Sequence, residues 1–586
     1  MARDKVFGGE IVARILRGEG VDHLFGIIDG TYFGFYSKLA ENGIKLLTPR
    51  HETSAVHMAG AYARLTGRLG VCMASNGPGV ANALPGVAVE EAEGNRVLLI
   101  TSSRREGIIY PDRGGTFQYF PQVDVIRQMA KWSQAVSSYD RVAELTRAAL
   151  RACFSGRPGV VHLDIPESIM NGTFDVDESW FRPPEQYRAT SPLHPDPIQV
   201  REASKLLARA ERPMIHAGSG VLHARATEEL AALAERLEAP VTTSWAARAA
   251  MDERSRYAVP MIYLGAVKTV RNQADVVLVL GSRLGETDFW GKPPYWAPPA
   301  RQKVVQVDID PLVLGNNRPA DLAVIGDVRV FLQELLREFD RRTDHPQQQT
   351  RRTWVDAIQA EVAERRQKLD QNLKKKDIPL HPALVPHACR NVFDDDAVLV
   401  IDGGNTALWA HFYHQVRAPY TVLTTPKMGM LGAGVSQALG AKVAFPDRQV
   451  YCIIGDGAMG FHPQEVETAV RNRLQVVWLV LCDKQWGMVK MNQQFALKPL
   501  KTVIKKSLSP DETINTELGE IEFDQLARAM GAYGERVADP EDLENAIKRA
   551  LASRQPAVIH VDVDPVAHLW APELKTFKEM HLEPEG

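Results

Sequence analysis

Two acidic residues at the ends of neighbouring apolar runs carry the strongest chemical signal in the chain. Residues 450–454 form an apolar run that ends in Gly455-Asp456-Gly457-Ala458-Met459-Gly460, and residues 476–481 form a second that ends in Cys482-Asp483. From Pro463 to about Arg473 the pattern between them is helical. Strand, helix and parallel strand place both acids on one edge of one sheet, and ligands of open α/β sheets sit at such carboxyl edges. The two carboxylates supply the hard oxygens that Mg²⁺ takes together with phosphate oxygens. Gly455, Gly457 and Gly460 let backbone N–H groups approach a phosphate, and the following helix start adds its dipole. A Gly-Asp-Gly alone is an ordinary turn; paired with Asp483 it reads as a divalent-cation and diphosphate site.

A third carboxylate stands out near the amino terminus. Pro49-Arg50-His51-Glu52 closes a β-rich run and opens a small-residue helix, Ala55-Val56-His57-Met58-Ala59-Gly60-Ala61-Tyr62-Ala63. A Glu there favours the helix dipole and by itself needs no further role. The wider pattern says more. Arg50-His51-Glu52, Ala61-Tyr62-Ala63-Arg64-Leu65-Thr66-Gly67 and Ser75-Asn76-Gly77-Pro78-Gly79, taken with the Gly-Asp-Gly segment, resemble the thiamine-diphosphate (ThDP) enzymes over nearly the whole chain. That family closes its diphosphate motif with Asn-Asn, where this chain has Cys482-Asp483; Asp483 keeps an oxygen ligand, now charged. The resemblance implies that Asp456, Asp483 and the backbone carbonyl of Gln485 hold Mg²⁺. It implies that Gly455, Gly457, Ala458 and Met459, with Asn405 and Thr406 of Asp402-Gly403-Gly404-Asn405-Thr406, reach the diphosphate. In Lys427-Met428-Gly429-Met430-Leu431-Gly432-Ala433-Gly434, Gly429 C=O would meet the 4′-amino group and Leu431 would wedge between the cofactor rings. Glu52 would hydrogen-bond N1′ of the aminopyrimidine and so promote loss of the thiazolium C2 proton, with an internal base acting at high effective molarity.

These groups need parallel sheets to position them. Helical and β-rich runs alternate through residues 1–185, with β-rich stretches at 21–28, 44–48, 70–74, 96–100 and 160–165. A proline-rich linker at 183–197 precedes a second α/β unit over 190–340. Residues 341–377 are charged and read as a loop and a solvated helix without a binding role. A third α/β unit follows over 378–565, and a tail, 566–586, carries Trp570, Leu574, Phe577 and Met580 at near-helical spacing. The expected fold class is α/β, with three doubly wound parallel-sheet domains (pyrimidine-binding, central nucleotide-binding and diphosphate-binding) and a C-terminal lid. At 586 residues the chain is too long for one core. With 45% hydrophobic and 24% charged residues and a net charge of −3, it has no nucleic-acid or membrane signature. The start, Met1-Ala2-Arg3-Asp4, leads into an amphipathic helix rather than a signal peptide's apolar block. The five cysteines, Cys72, Cys153, Cys389, Cys452 and Cys482, lack metal spacing and read as buried thiols of a soluble cytoplasmic protein.

Ala217-Gly218-Ser219-Gly220, Gly281-Ser282-Arg283 and Val307-Asp308-Ile309-Asp310 sit at successive strand ends of the middle unit. Gly156-Arg157-Pro158-Gly159 resembles the segment whose Arg contacts FAD in acetolactate synthases or ADP in oxalyl-CoA decarboxylases. Arg157, Gly218, Gly220, Arg283, Asp308 and Asp327 are therefore candidates for a nucleotide, ADP preferred and FAD the alternative. The domain order resembles the acetolactate synthase, oxalyl-CoA decarboxylase and 2-hydroxyacyl-CoA lyase branch, and the tail is similar to the C-terminal lid of its CoA-using members, most of all to that of actinobacterial lyases acting on short branched 2-hydroxyacyl-CoA. Phe117 and Gln118, in Gly114-Gly115-Thr116-Phe117-Gln118, and Met488, beyond the metal loop, would face the substrate. Lys490, Lys498, Lys501, Lys505, Lys506, Lys575 and Lys578 favour an acyl-CoA, its phosphates meeting lysines and the tail closing over it. The implied reaction cleaves a 2-hydroxyacyl-CoA to formyl-CoA and a ketone or aldehyde; the alternative condenses 2-ketoacids. Gln493 would contact the substrate hydroxyl, although an amide cannot take its proton. In the family Glu52's domain meets the third domain of a second subunit, so a homodimer or homotetramer is expected.

Overall fold

The computed structural model describes residues 5–342 and 347–582. The start Met1-Ala2-Arg3-Asp4, part of the charged stretch (343–346) and the last four residues of the tail lie outside the described residues.

Three six-stranded sheets carry the chain, and every neighbouring pair within them is parallel. Their central strands, such as Val160–Pro166, Val276–Leu280 and Val477–Cys482, are buried at every residue. That is why they read as unbroken apolar runs: helices cover both faces of a parallel sheet. Ranked by position in the chain, the first sheet (His23–Gly26 to Val160–Pro166) and the third (Val398–Ile401 to Ala557–Asp562) share one strand order, 2-1-3-4-6-5. This common order supports a distant duplication that no residue pattern revealed. The middle sheet, Pro213–Ala217 to Leu322–Ile325, has the order 3-2-1-4-5-6, the arrangement that binds dinucleotides where the order reverses.

The first and third units share one hydrophobic core. Helix Glu52–Thr66 is buried from Thr53 to Leu65, and it packs on helix Ala433–Ala444, buried from Ala433 to Ala441. Small residues let the backbones close up: a Cβ at Gly440 would lie 2.4 Å from the Met58 carbonyl oxygen. At the helix start, the Arg50 backbone N–H donates to Glu465 at 3.2 Å and its Nε to Glu467 at 2.6 Å. All five cysteines are buried and unpaired, and no helix among the described residues is long and apolar enough to cross a membrane.

The charged stretch corrects its reading in one respect. Helix Gln348–Asp370 is present, but one face is docked, with Trp354, Val355 and Ile358 buried. Arg351 donates to the carbonyls of Leu207, Ala208, Ala210 and Leu237. The docked face is apolar at helical spacing, Trp354, Ile358 and Val362 packing on one core cluster and Val355 on another, but charged residues surround it in the sequence and mask the period. Because backbone stands against Gly440, Gly440→Val should overpack the junction by about 1–3 kcal/mol. A lower melting temperature in calorimetry checks this; an unchanged value would mean that the two helices separate at no cost.

Candidate active site

The strands Val450–Gly455 and Val477–Cys482 run in register, Gly455 opposite Leu481, so Asp456 and Asp483 emerge on one edge as the spacing predicts. Asp456 takes the Gly457 N–H on Oδ1 (2.7 Å) and the Lys484 N–H on Oδ2 (2.8 Å). Burial, and then the neighbouring Asp483 charge, push its carboxyl above the usual carboxylate range. Among the described residues neither acid has a Lys or Arg partner, which leaves the pair in want of a cation. A Cβ at Gly457 would strike the Trp486 ring at 2.7 Å, so glycine is required there by packing as well as by any phosphate.

The expected diphosphate residues gather beside this edge. Asp402 accepts from the N–H groups of Gly403 (2.6 Å) and Gly434 (2.8 Å), tying its strand end to the start of helix Ala433–Ala444; burial pushes its carboxyl up to about 6. Asn405 is 3% exposed, and both polar atoms of its side chain lack a hydrogen-bond partner. A buried amide left unpaired costs free energy, and a polyanion between Asn405 and the carboxylates would satisfy it. Space at the missing Cβ of Gly487 touches Asn405 Nδ2 (2.8 Å) and Asp483 Oδ2 (3.4 Å), and that of Gly404 touches Met488, so metal loop and diphosphate loop are neighbours. Thr406 lies under Gly455, at 3.0 Å from its missing Cβ, and Gly429 is exposed with φ +58°. Leu431 packs on the shared core. The donor set fits Mg²⁺ and a diphosphate. The Gln485 carbonyl, the expected third metal ligand, accepts from Gly487 N–H at 2.9 Å, which occupies one of its two lone pairs.

Glu52 opens its helix with His51 as the capping residue, whose Nδ1 accepts from Thr53 N–H. Its Oε2 accepts from Asn82 Nδ2 (3.1 Å), and Gly79, whose missing Cβ would stand 3.4 Å from Oε1, keeps the carboxylate approachable. Asn82 was not legible as a partner, because it sits on the next helix and no local pattern marks it. Gln118, at φ +55°, presents its carbonyl to Asn76 Nδ2 (3.0 Å), which puts the Phe117–Gln118 loop beside the same sheet edge, with Phe117 72% exposed. No hydrogen bond among the described residues joins Glu52 to the Asp456–Asp483 edge of its own chain.

In the middle unit Gly218 and Gly220 meet Gly281 backbone to backbone: Gly220 N–H donates to Gly281 O at 3.1 Å, and a Cβ at Gly218 would lie 2.2 Å from that oxygen. These glycines are explained by packing at the point where the strand order reverses. Asp327 caps helix Val328–Asp340 through Arg329 and Val330 N–H. Arg157 donates to the carbonyls of Glu91 and Ala92. Its charge nevertheless depresses Arg283, whose desolvation is the larger cause, while Asp308 opposes the shift. Burial and then both arginines depress Lys427 in turn. Arg157, Arg283 and Lys427, one from each unit, thus lie within electrostatic reach of one another, with Arg157 also paired to Glu91 at 3.3 Å; Lys427 was not assigned to this group from the sequence.

On the substrate side, Lys490 is paired with Glu517, and Lys498 and Lys501 share Glu512, so these three of the expected phosphate-binding lysines are already paired, two of them to a single carboxylate. Gln493 donates to Ile514 O (3.0 Å) and accepts from Ile514 N–H (2.7 Å). A second acidic cluster, Glu520, His560 and Asp562, is bridged by Arg536, which serves both carboxylates.

Residues 7–126 match the N-terminal TPP binding domain of thiamine pyrophosphate enzymes, residues 200–335 their central domain and residues 402–561 their C-terminal TPP binding domain. The chain belongs to the thiamine pyrophosphate enzyme family. It is 31% identical over 579 residues to the acetolactate synthase large subunit of Mycobacterium tuberculosis, covering 97% of this chain and 90% of that protein. It is 28% identical to the probable acetolactate synthase large subunit of Methanococcus aeolicus, covering 96% and 93%. To the acetolactate synthase isozyme 3 large subunit of Escherichia coli it is also 28% identical, covering 97% and 96%. Asn405→Ala should weaken ThDP binding at saturating Mg²⁺ by about tenfold or more, while the cofactor-free protein melts no lower than the parent. Titration calorimetry and a melting curve check the pair; unchanged affinity would remove Asn405 from the diphosphate site.

Proposed function

We propose that this ThDP enzyme cleaves a short, branched 2-hydroxyacyl-CoA to formyl-CoA and a ketone or aldehyde. The observation that carries this reading is the surface formed where the tail meets the helices beyond the metal loop. Trp570 stacks edge-on to Phe495 at 5.8 Å, with the Lys506 ammonium over Trp570 and the Lys578 ammonium over Phe495. Lys505, Lys506 and Lys578 have no carboxylate partner among the described residues, and Leu500, Val503 and Ile504 beside them are exposed. Unpaired cations around an apolar surface suit a long thioester with phosphates better than a small ketoacid.

Bound ThDP supplies the electron sink for breaking the carbon–carbon bond. The chain's own residues position it: Asp456, Asp483 and the Gln485 carbonyl would hold Mg²⁺, Asn405 and the glycine turn the diphosphate, and Glu52 a proton at the aminopyrimidine. Gln493 would orient the substrate hydroxyl. The side chain that fits this role as a base is a carboxylate, which the Ile514 N–H could still hold while the Ile514 carbonyl would lose its donor. Gln493→Glu should therefore raise kcat by about 10²-fold in a formyl-CoA release assay; unchanged turnover would remove Gln493 from the reaction.

A second reading is condensation of 2-ketoacids with FAD in the central unit. The names of the full-length relatives support it more than they support the lyase. Mass spectrometry of the molecules released on denaturation separates the two. ADP together with formyl-CoA production from a 2-hydroxyacyl-CoA supports the lyase; flavin together with 2-ketoacid condensation supports the other.

We also propose that each active site is completed between subunits of a homodimer or homotetramer, since among the described residues no hydrogen bond joins Glu52 to the metal edge of its own chain. Glu52→Gln and Asp456→Asn should each abolish activity. Co-expressed, they should regain part of it, because one site per mixed pair keeps both acids. A mixed oligomer as dead as either variant would place the site within one chain.

A further inference from the structure

Asp483 adds a charge to an edge that already buries Asp456, and the structure shows what meets it. His568 is 3% exposed; its Nδ1 lies 2.6 Å from Asp483 Oδ2 and its Nε2 3.1 Å from Thr406 Oγ1. Its backbone carbonyl accepts from Trp409 Nε1 at 3.0 Å. Three residues earlier the Pro565 carbonyl accepts from Gln485 Nε2 (2.8 Å), and the same amide donates to Asp483 Oδ2 (3.0 Å). The short helix Pro565–Leu569 is therefore fastened to the metal loop on one side and to the diphosphate loop on the other. With Oδ2 held by His568 and Gln485, Asp483 Oδ1 accepts no hydrogen bond among the described residues, and it is the oxygen left for a cation.

The same segment continues directly into the tail. Leu569, Ala571, Leu574 and Met580 enter a core cluster with Trp409, Trp245 and Trp296. Phe577 stands edge-on to Trp245 at 5.8 Å, the Tyr295 hydroxyl donates to Glu579 (2.5 Å), and His581 lies 2.7 Å from Glu286. One end of the tail thus orients a metal ligand while the other is anchored on the central unit.

We propose that His568 is a positioning residue that aims Asp483 at Mg²⁺ and makes tail docking and Mg²⁺–ThDP binding one linked equilibrium. A group behind a metal ligand fixes its orientation, and its loss costs about 10–100-fold in metal affinity. Linkage is reciprocal: whatever docking of the tail adds to metal affinity, the bound metal returns to docking. The inference rests on the Asp456–Asp483 metal site and is independent of the substrate.

The test uses the full chain and two readouts other than activity. In the parent protein, Mg²⁺ with ThDP should slow tryptic cleavage at Lys575 and Lys578 by about tenfold or more. His568→Ala should raise the Mg²⁺ concentration for half-maximal ThDP binding by about 10–100-fold and lose the protection, with His568→Asn restoring part of both. Phe577→Ala, which leaves His568 in place and loosens the tail far from the metal, should raise the Mg²⁺ requirement by about threefold or more; it serves if His568→Ala does not fold. Unchanged Mg²⁺ affinity in both variants, or protection that survives His568→Ala, would overturn the proposal. ThDP binding to the parent that ignores Mg²⁺ would overturn the metal site along with it.

Discussion

Two carboxylates held side by side at a buried sheet edge, with no lysine or arginine to answer them, are the constraint around which the rest is arranged. Such a pair opposes folding unless something positive or strongly polar completes it. The backbone N–H groups of Gly457 and Lys484 serve Asp456, and His568 with Gln485 serves Asp483. No lysine or arginine among the described residues joins them, which leaves the edge open to a cation. The unpaired amide of Asn405 extends the same deficit toward an anion. Functional sites store free energy in this way, as polar groups that the protein alone leaves unsatisfied.

The frame around that edge is rigid for a reason that can be named. Helices Glu52–Thr66 and Ala433–Ala444 meet through glycine and alanine, so the first and third units form one core while each offers the carboxyl edge of its sheet to ligands. The common strand order of the two sheets gives those edges equivalent places, one beside Glu52 and one beside Asp456. The middle unit, with its different strand order, brings Arg283 to the cationic group it shares with Arg157 of the first unit and Lys427 of the third.

The strands, the crossover between Asp456 and Asp483 and the helix opening at Glu52 were all legible, because burial on both faces and glycine turns leave local marks. The partners of these acids were not. Asn82 comes from another helix and His568 from the tail, and neither carries a periodic or spacing signal. The docked face of helix Gln348–Asp370 escaped notice because its few apolar residues, Trp354, Val355 and Ile358, stand among charged ones, and one of those, Arg351, is buried with them. Gln493, singled out by its place after the metal loop, turned out to be clasped at both ends by one backbone residue.

By itself the sequence determined the class of fold, the three parallel sheets and the carboxylates that face one another's needs, since these follow from local apolar periodicity and from residue types at strand ends. Only the tertiary structure decided which lysines lack a carboxylate partner among the described residues, which oxygen of Asp483 is already engaged, and that His568, far along the chain, reaches back to it. Those outcomes depend on contacts between residues far apart in the chain, and pairing at a distance leaves no imprint on the residues nearby.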